Sequence, residues 1–209
     1  MTIASIPPTQ SNPTEQRFYT PEEYLAFEAA AKERHEYRNG EMIPMAGGTT
    51  NHNTIAGNLF AFAKYGLRGK GYRTFISDVK LWTPEPPKFT YPDVMLVKGE
   101  PEYYGEGTSV ITNPQVIIEV LSESTQAHDQ SKKFRYYRSA PSFQEYILIS
   151  QYDFYAEQYV RTESGQWLMS EYAAAEAVLE LATVELAIPF SDLYEDVQFE
   201  PASTETVAD

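Results

Sequence analysis

The apolar residues of this chain fall mostly into short runs bounded by Pro, Gly and Asn, a pattern typical of a protein rich in β-strands. Residues 116–121 are apolar on both faces apart from one acid, so they predict a buried strand. Residues 74–82 alternate between apolar and polar, and a Pro-rich turn after them leads into a second run at 91–97. These two segments predict an antiparallel pair, and residues 145–150 predict a further strand.

Helix signals interrupt the strands at three places. Residues 20–23, TPEE, combine an N-cap, a first-turn proline and a capping-box acid, which predicts a helix running to about residue 31. A second helix is predicted from residues 49–51 to about residue 67, and a third over 129–139. Before the second helix stands Asn39-Gly40, the residue pair favoured in two-residue hairpin turns.

The region beyond residue 150 is strand-like in three segments, at 154–160, 167–172 and 178–186. The order of elements predicts an α+β fold with a mixed sheet flanked by helices and with additional antiparallel strands. A chain of 209 residues fits one domain, which we place at 17–198. Residues 1–16 predict a disordered tail and residues 199–209 an acidic tail.

Three charged residues stand in apolar surroundings. Asp93 and Glu119 each lie within a Val, Ile, Leu and Met run of strand-like sequence. An unpaired carboxylate is costly to bury, so such a group is paired, protonated or bound to a metal. On the third predicted helix, Lys133 flanks the apolar face, whereas Lys132 and Arg135 point toward solvent.

Composition narrows the possible partners. The net charge of −14 is unfavourable for nonspecific binding of nucleic acid, which usually requires a basic balance. Any nucleic-acid interaction therefore depends on bound cations and on local basic patches, such as the Lys and Arg residues within 64–73 and 132–138. The chain has no cysteine, no signal-peptide pattern and no apolar run near the roughly 20 residues of a membrane span, so we expect a cytoplasmic protein without membrane contact.

The charged residues are of the types that phosphodiester cleavage at a divalent metal requires. Carboxylate oxygens suit Mg²⁺ or Mn²⁺, and such a cation can activate water and neutralise charge that develops on a phosphate. A neighbouring lysine can orient the water or stabilise the transition state. Asp78, on the strand predicted at 74–82, is a second-tier candidate for the same cleft.

The Pro92-Asp93 step, the strand that contains Glu119 and the following segment with Lys133 resemble the Uma2 family of restriction-endonuclease-like proteins, which is common in cyanobacteria. The resemblance covers residues 18–197, including YRNGEMIPM and PFSDLYEDV. It implies a PD-(D/E)XK nuclease fold with Asp93 and Glu119 as metal ligands. Leu121 stands where that superfamily has its motif lysine, and Lys133 matches the position to which the lysine has moved in Uma2-like proteins.

Two weaker positions match the same family. Glu41 follows the first hairpin, where the family tends to carry an acid, and His52 opens the second helix. His52 also has a simpler interpretation, as a histidine at a helix start that bonds to a neighbouring loop. By analogy with other enzymes of this fold, the resemblance implies a homodimer that acts on DNA.

The sequence leaves three functions open. The leading hypothesis is an Mg²⁺- or Mn²⁺-dependent endodeoxyribonuclease. The second is a nuclease fold without catalysis that binds nucleic acid or a protein partner, motivated by the acidic charge and the missing motif lysine. The third is a hydrolase of small phosphoesters. The same carboxylates and lysine could also form only a partly buried ion pair, which would reveal little about function.

Overall fold

The fold consists of two β-sheets, a separate hairpin and four helices in the part of the chain that the computed structural model describes, residues 17–122 and 132–199. The helices are α1 (Pro21–Glu28), α2 (Thr50–Gly66), α3 (Phe134–Tyr137) and α4 (Phe190–Leu193). The strands are β1 (His35–Arg38), β2 (Glu41–Pro44), β3 (Tyr72–Ile76), β4 (Lys80–Pro84), β5 (Pro87–Thr90), β6 (Val94–Lys98), β7 (Val110–Ile111), β8 (Val116–Leu121), β9 (Glu145–Ser150), β10 (Ala156–Arg161), β11 (Trp167–Tyr172), β12 (Val178–Leu181) and β13 (Leu186–Pro189).

Both large sheets are mixed. The six-stranded sheet has the order β11-β10-β9-β8-β6-β3, in which β8 and β9 run parallel and the other described neighbours antiparallel. The five-stranded sheet has the order β2-β1-β5-β4-β7, with β4 parallel to β7. The predicted α+β class with a mixed sheet and additional antiparallel strands is therefore confirmed.

Local sequence signals explain where several elements begin. The side chain of Thr20 accepts a hydrogen bond from the Glu23 backbone N–H, and the Glu23 carboxylate accepts one from the Thr20 N–H, which completes the predicted capping box of α1. The helix ends at Glu28, a few residues before the predicted end. Asn39 and Gly40 have φ values of 53° and 97°, as the predicted tight hairpin turn requires.

The prediction of a single strand over residues 74–82 is wrong, because the chain passes from one sheet to the other in the middle of this segment. Ser77 has a φ of 49°, in the left-handed region, and its N–H donates to the carbonyl of Asp93 at 3.0 Å. This bend ends β3 in the six-stranded sheet and directs β4 into the five-stranded one. The predicted pairing of residues 74–76 with the strand after Asp93 is confirmed as β3 with β6.

The connections also contain strands that the sequence pattern did not indicate. Residues 87–90, assigned to a Pro-rich turn, form β5, and residues 110–111 form the short strand β7. The segment 178–186 is the β12–β13 hairpin, broken at residues 182–185. These strands have only two to four residues each, so local periodicity gives little sign of them.

The six-stranded sheet is covered on both faces. One face packs against α2, the β12–β13 hairpin and α4, with Ile55, Leu59 and Ile118 in the shared core. The opposite face packs against α3 and the segment after it through Tyr137 and Phe143. Because β8 lies in the middle of this sheet, all of its side chains are buried, which explains its lack of polar alternation.

The ends of the predicted domain lie close to the limits of the described residues. Phe199, which we assigned to the acidic tail, packs instead against Phe154 and Tyr194. The rest of that tail, the tail predicted at 1–16 and the first turn of the helix predicted at 129–139 lie outside the described residues. No helix in the described ranges has the length and apolar character that crossing a membrane demands.

The bend at Ser77 yields a test of the change of sheet. A left-handed conformation costs a residue with a Cβ about 1–2 kcal/mol and is more costly for β-branched side chains. We expect Ser77→Gly to leave the free energy of unfolding within about 1 kcal/mol of the parent, and Ser77→Val to lower it by about 1–3 kcal/mol. Urea denaturation measures both. Equal stability of the two variants would contradict the left-handed bend.

Candidate active site

The side chain of Glu119 is the most deeply buried acid of the candidate site. Glu119 lies in β8, between β6 and β9, and only 3 % of its side chain is exposed. In the antiparallel pairing of β6 with β8, Val94 faces Ile118. Asp93 directly precedes this pair on one strand, and Glu119 directly follows it on the other. The two predicted metal ligands therefore occupy neighbouring positions at one end of the β6–β8 pair.

Lys133 and Tyr137 neutralise and hold the Glu119 carboxylate. The ammonium of Lys133 lies 3.2 Å from Glu119 Oε1, and the Tyr137 hydroxyl donates to the same oxygen at 2.6 Å. Burial, reinforced by the charge of Glu119, raises the pKa of Tyr137 well above its ordinary value, so the phenol remains a donor. The predicted orientation of the basic cluster is confirmed, because Lys133 is buried while Lys132 and Arg135 are exposed.

The five-stranded sheet contributes two further charged residues that the sequence analysis did not identify. Glu36 of β1 lies 3.8 Å from the Lys133 ammonium through Oε1, and its side chain is 5 % exposed. Arg38 pairs with the other oxygen of Glu36, and its Nε donates at 2.9 Å. The result is a chain of alternating charge, Arg38 to Glu36 to Lys133 to Glu119, that joins the two sheets. The available signal was the two-residue spacing of Glu36 and Arg38, which places both on one face of β1.

Asp93 is held by a different set of partners. It lies in a bend just before β6, so the structure places it one residue outside the strand that the sequence predicted. Asp93 Oδ2 accepts the backbone N–H of Val120 at 2.8 Å, and Asp93 Oδ1 lies 3.0 Å from His52 Nε2. The His52 backbone N–H is capped by Thr49 at 3.1 Å, at the start of α2. The contact between Asp93 and His52 fits both interpretations of this histidine, as a site residue and as a helix-start residue.

The other second-tier candidates lie in different surroundings. Glu41 begins β2 opposite Arg38 and lines a cleft beside the charge chain. Asp78 follows the bend at Ser77, and its carboxylate is 85 % exposed and pairs with Arg34 at 2.7 Å. The structure thus brings His52 to Asp93 and Lys133 to Glu119, and it directs Asp78 toward solvent.

The carboxylates present a limited set of metal ligands. Within residues 17–122 and 132–199, no three His, Cys, Asp or Glu side chains converge into a metal-binding group. Mg²⁺, however, is commonly bound by one or two carboxylates and completes its shell with water and substrate phosphate. Asp93 and Glu119, which flank the last residue pair of β6 with β8, match that smaller donor set in number and type. The residues therefore fit a substrate-completed Mg²⁺ or Mn²⁺ site and do not form an all-protein cage.

Comparison with known proteins gives one family and several similar chains. The Uma2 family model, described as "Putative restriction endonuclease", matches residues 21–191. Two uncharacterized proteins of Synechocystis sp. (strain ATCC 27184 / PCC 6803 / Kazusa) are similar over most of their length. The protein sll1609 is 36 % identical over 170 residues, which cover 81 % of this chain and 96 % of that protein. The protein slr1290 is 33 % identical over 180 residues, which cover 86 % of this chain and 93 % of that protein.

A solved structure has the same fold. The crystal structure of "a putative nuclease belonging to DUF820" from Anabaena variabilis ATCC 29413 superposes with a TM-score of 0.67. The match covers 83 % of this chain and 96 % of that chain at 18 % identity, so it establishes the fold alone. The α+β architecture of this chain is therefore shared with that protein.

The ion pair between the sheets leads to a stability prediction. Lys133→Met leaves Glu119 without its neutralising cation, and breaking a buried pair in this way costs about 3–5 kcal/mol. We expect that loss in the free energy of unfolding, measured by urea denaturation at neutral pH. Adding Glu119→Gln removes the buried charge, so the double variant should recover most of the loss.

A matched control is the adjacent exposed lysine. Lys132→Met removes the same charge from a solvated position and should change the free energy of unfolding by less than about 0.5 kcal/mol. Equal losses for Lys133→Met and for the double variant would contradict the pairing with Glu119.

Proposed function

The chain belongs to the Uma2 family, as the sequence resemblance predicted, and from this premise we propose that it is a divalent-metal-dependent endonuclease that hydrolyses phosphodiester bonds of DNA. The observation that carries the proposal is the grouping at one end of the β6–β8 pair. Asp93 and Glu119 flank the last residue pair of β6 with β8, and the Lys133 ammonium lies 3.2 Å from Glu119. This grouping supports the proposal because it unites the acid and base types that metal-assisted phosphodiester hydrolysis uses.

Asp93 and Glu119 would hold Mg²⁺ or Mn²⁺. When bound, such a cation makes water a better nucleophile and neutralises charge on the scissile phosphate. Lys133 pairs with Glu119 and presents a cation for orienting the attacking water or for stabilising the charged transition state. His52 and the Val120 N–H orient the Asp93 carboxylate from two sides.

A second candidate function is a nuclease fold that binds nucleic acid or a protein without cleaving it. The supporting observation is that both carboxylates are engaged by the protein. Asp93 contacts His52 and the Val120 N–H, and Glu119 Oε1 receives Tyr137 and Lys133. If these contacts persist when a metal is offered, the carboxylates serve structure and the domain only binds.

We also propose, by analogy with other enzymes of this fold, that the protein acts as a cytoplasmic homodimer that addresses both strands of DNA. The absence of cysteine is compatible with a reducing compartment. Size-exclusion chromatography with light scattering should give twice the chain mass at micromolar concentration. A monomer under those conditions would contradict the dimer.

The decisive test of the proposed function is cleavage of plasmid, linear duplex and single-stranded DNA with Mg²⁺, Mn²⁺ or EDTA. We expect cleavage by the parent that depends on the metal. Asp93→Asn and Glu119→Gln should each lower the rate by at least about 100-fold, since each removes a charge that serves the transition state. Gel electrophoresis with quantified initial rates provides the measurement.

Asp78→Asn is the matched control for these variants. It removes the same kind of charge from an exposed carboxylate that pairs with Arg34, so the rate should remain within about two-fold of the parent. Metal binding by the folded parent without cleavage of any DNA substrate would favour the second candidate function, a nuclease fold that binds without cleaving. Cleavage of a chromogenic phosphodiester, without cleavage of any polynucleotide, would favour a small-substrate hydrolase.

A further inference from the structure

A cleft of about 290 Å³ adjoins the charge chain on the same face of the five-stranded sheet. Three cationic side chains line it, from Arg38, Lys88 and Lys132, together with one acid, Glu41. The local balance is therefore positive, although the whole chain carries a net charge of −14. Its volume is roughly ten times the 30 Å³ that a water molecule occupies in the liquid, so the cleft can admit a group larger than water.

Lys88 is the unusual member of this cleft. It lies opposite Arg38 in the pairing of β1 with β5, and the residue is only 4 % exposed. Among the described residues, its ammonium has no hydrogen-bond or ion-pair partner, and it lies over the Tyr136 ring at 4.2 Å from the centroid. Burial, followed by the charge of Arg38, lowers the pKa of Lys88. The cleft thus places the buried ammonium of Lys88 beside the guanidinium of Arg38, an arrangement that a bound anion would stabilise.

The cleft is connected to the candidate active site through side chains and through the backbone. Arg38 pairs with Glu36, which in turn pairs with Lys133. Lys132 and Tyr136 belong to the same short segment as Lys133. An anion held by Lys88 would therefore lie one side chain away from the charge chain that reaches Glu119.

We propose that this cleft binds a phosphate group of a DNA strand, with Lys88, Arg38 and Lys132 as its contacts. Lysine and arginine contacts to phosphate supply the sequence-independent part of DNA affinity and fix the register of the strand. Lys132 is exposed, so the cleft opens to solvent and a polymer backbone can cross it. This inference rests on the proposed function, which supplies DNA as the substrate. It adds the place at which one phosphate group of that DNA is bound.

Equilibrium binding of a fluorescent 20-base-pair duplex, measured by anisotropy in EDTA over a series of salt concentrations, tests the cleft without cleavage. We expect Lys88→Met and Lys132→Gln to weaken binding by roughly 3-fold to 10-fold, and each should lower the slope of log affinity against log salt by about one. Lys132 is exposed, so its variant remains informative if Lys88→Met alters folding, which circular dichroism would detect.

Arg135→Gln is the matched control, because Arg135 is an exposed cation of the same segment that does not line the cleft. Its affinity should stay within about two-fold of the parent, apart from general charge effects. A parent that binds the duplex but never cleaves it, with both cleft variants weakened, would refute the proposed function and leave the cleft assignment standing.

Three results would overturn the assignment. The first is unchanged duplex affinity in both cleft variants. The second is the absence of any duplex binding by the parent, in EDTA and in Ca²⁺. The third is a parent that is stabilised by inorganic phosphate in a thermal shift assay, dependent on Lys88, while duplex affinity ignores Lys88 and Lys132. That result would identify a site for free phosphate and not for DNA.

Discussion

The burial of the Glu119 carboxylate is the constraint on which the rest of the site depends. The central strand β8 is covered on both faces, so its acid has 3 % of its side chain exposed and must find partners inside the protein. Lys133 supplies the charge and Tyr137 supplies a hydrogen bond. These contacts fix the short helix α3 against the six-stranded sheet. The Asp93 carboxylate contacts the same strand at the backbone N–H of Val120.

The five-stranded sheet adds further charged residues to this arrangement. Glu36 and Arg38 on β1 continue the alternation of charge away from Glu119, and Lys88 on β5 lies next to Arg38 at the cleft. Buried ion pairs contribute little net stability, because desolvation offsets most of the attraction. The charge chain of four residues that joins the two sheets is therefore better explained by a role in positioning side chains than by a contribution to stability. In the proposed enzyme it positions the water-orienting lysine on one side and a phosphate contact on the other.

Sequence patterns predicted the features that depend on neighbours in the chain. The α1 capping box, the Asn39-Gly40 turn and the wholly apolar strand around Glu119 are local, and the structure contains each of them. The isolated acid in that strand also indicated the buried end of the site. The sequence did not predict the change of sheet at Ser77. In a sequence, a left-handed conformation is indicated mainly by Gly or Asn, and here the residue is serine.

The sequence also did not predict the roles of Glu36 and Lys88, for a related reason. Glu36 and Lys88 reach the site only through pairing of β1 with β5, two strands separated by about 50 residues of chain. Neither residue has a neighbour in sequence that marks it as buried. Asp78 shows the converse case. It was a candidate for the cleft because of the strand predicted at 74–82, but that strand ends at the bend before it, and its carboxylate is 85 % exposed.

The most direct test of the account is the location of the metal. Crystals grown with Mn²⁺, and measured for its anomalous scattering, should show a peak bound by the carboxylates of Asp93 and Glu119. That peak must lie at the end of the β6–β8 pair. Saturating Mn²⁺ that gives no peak there, with Asp93 still bonded to His52 and Glu119 still bonded to Lys133 and Tyr137, would contradict it.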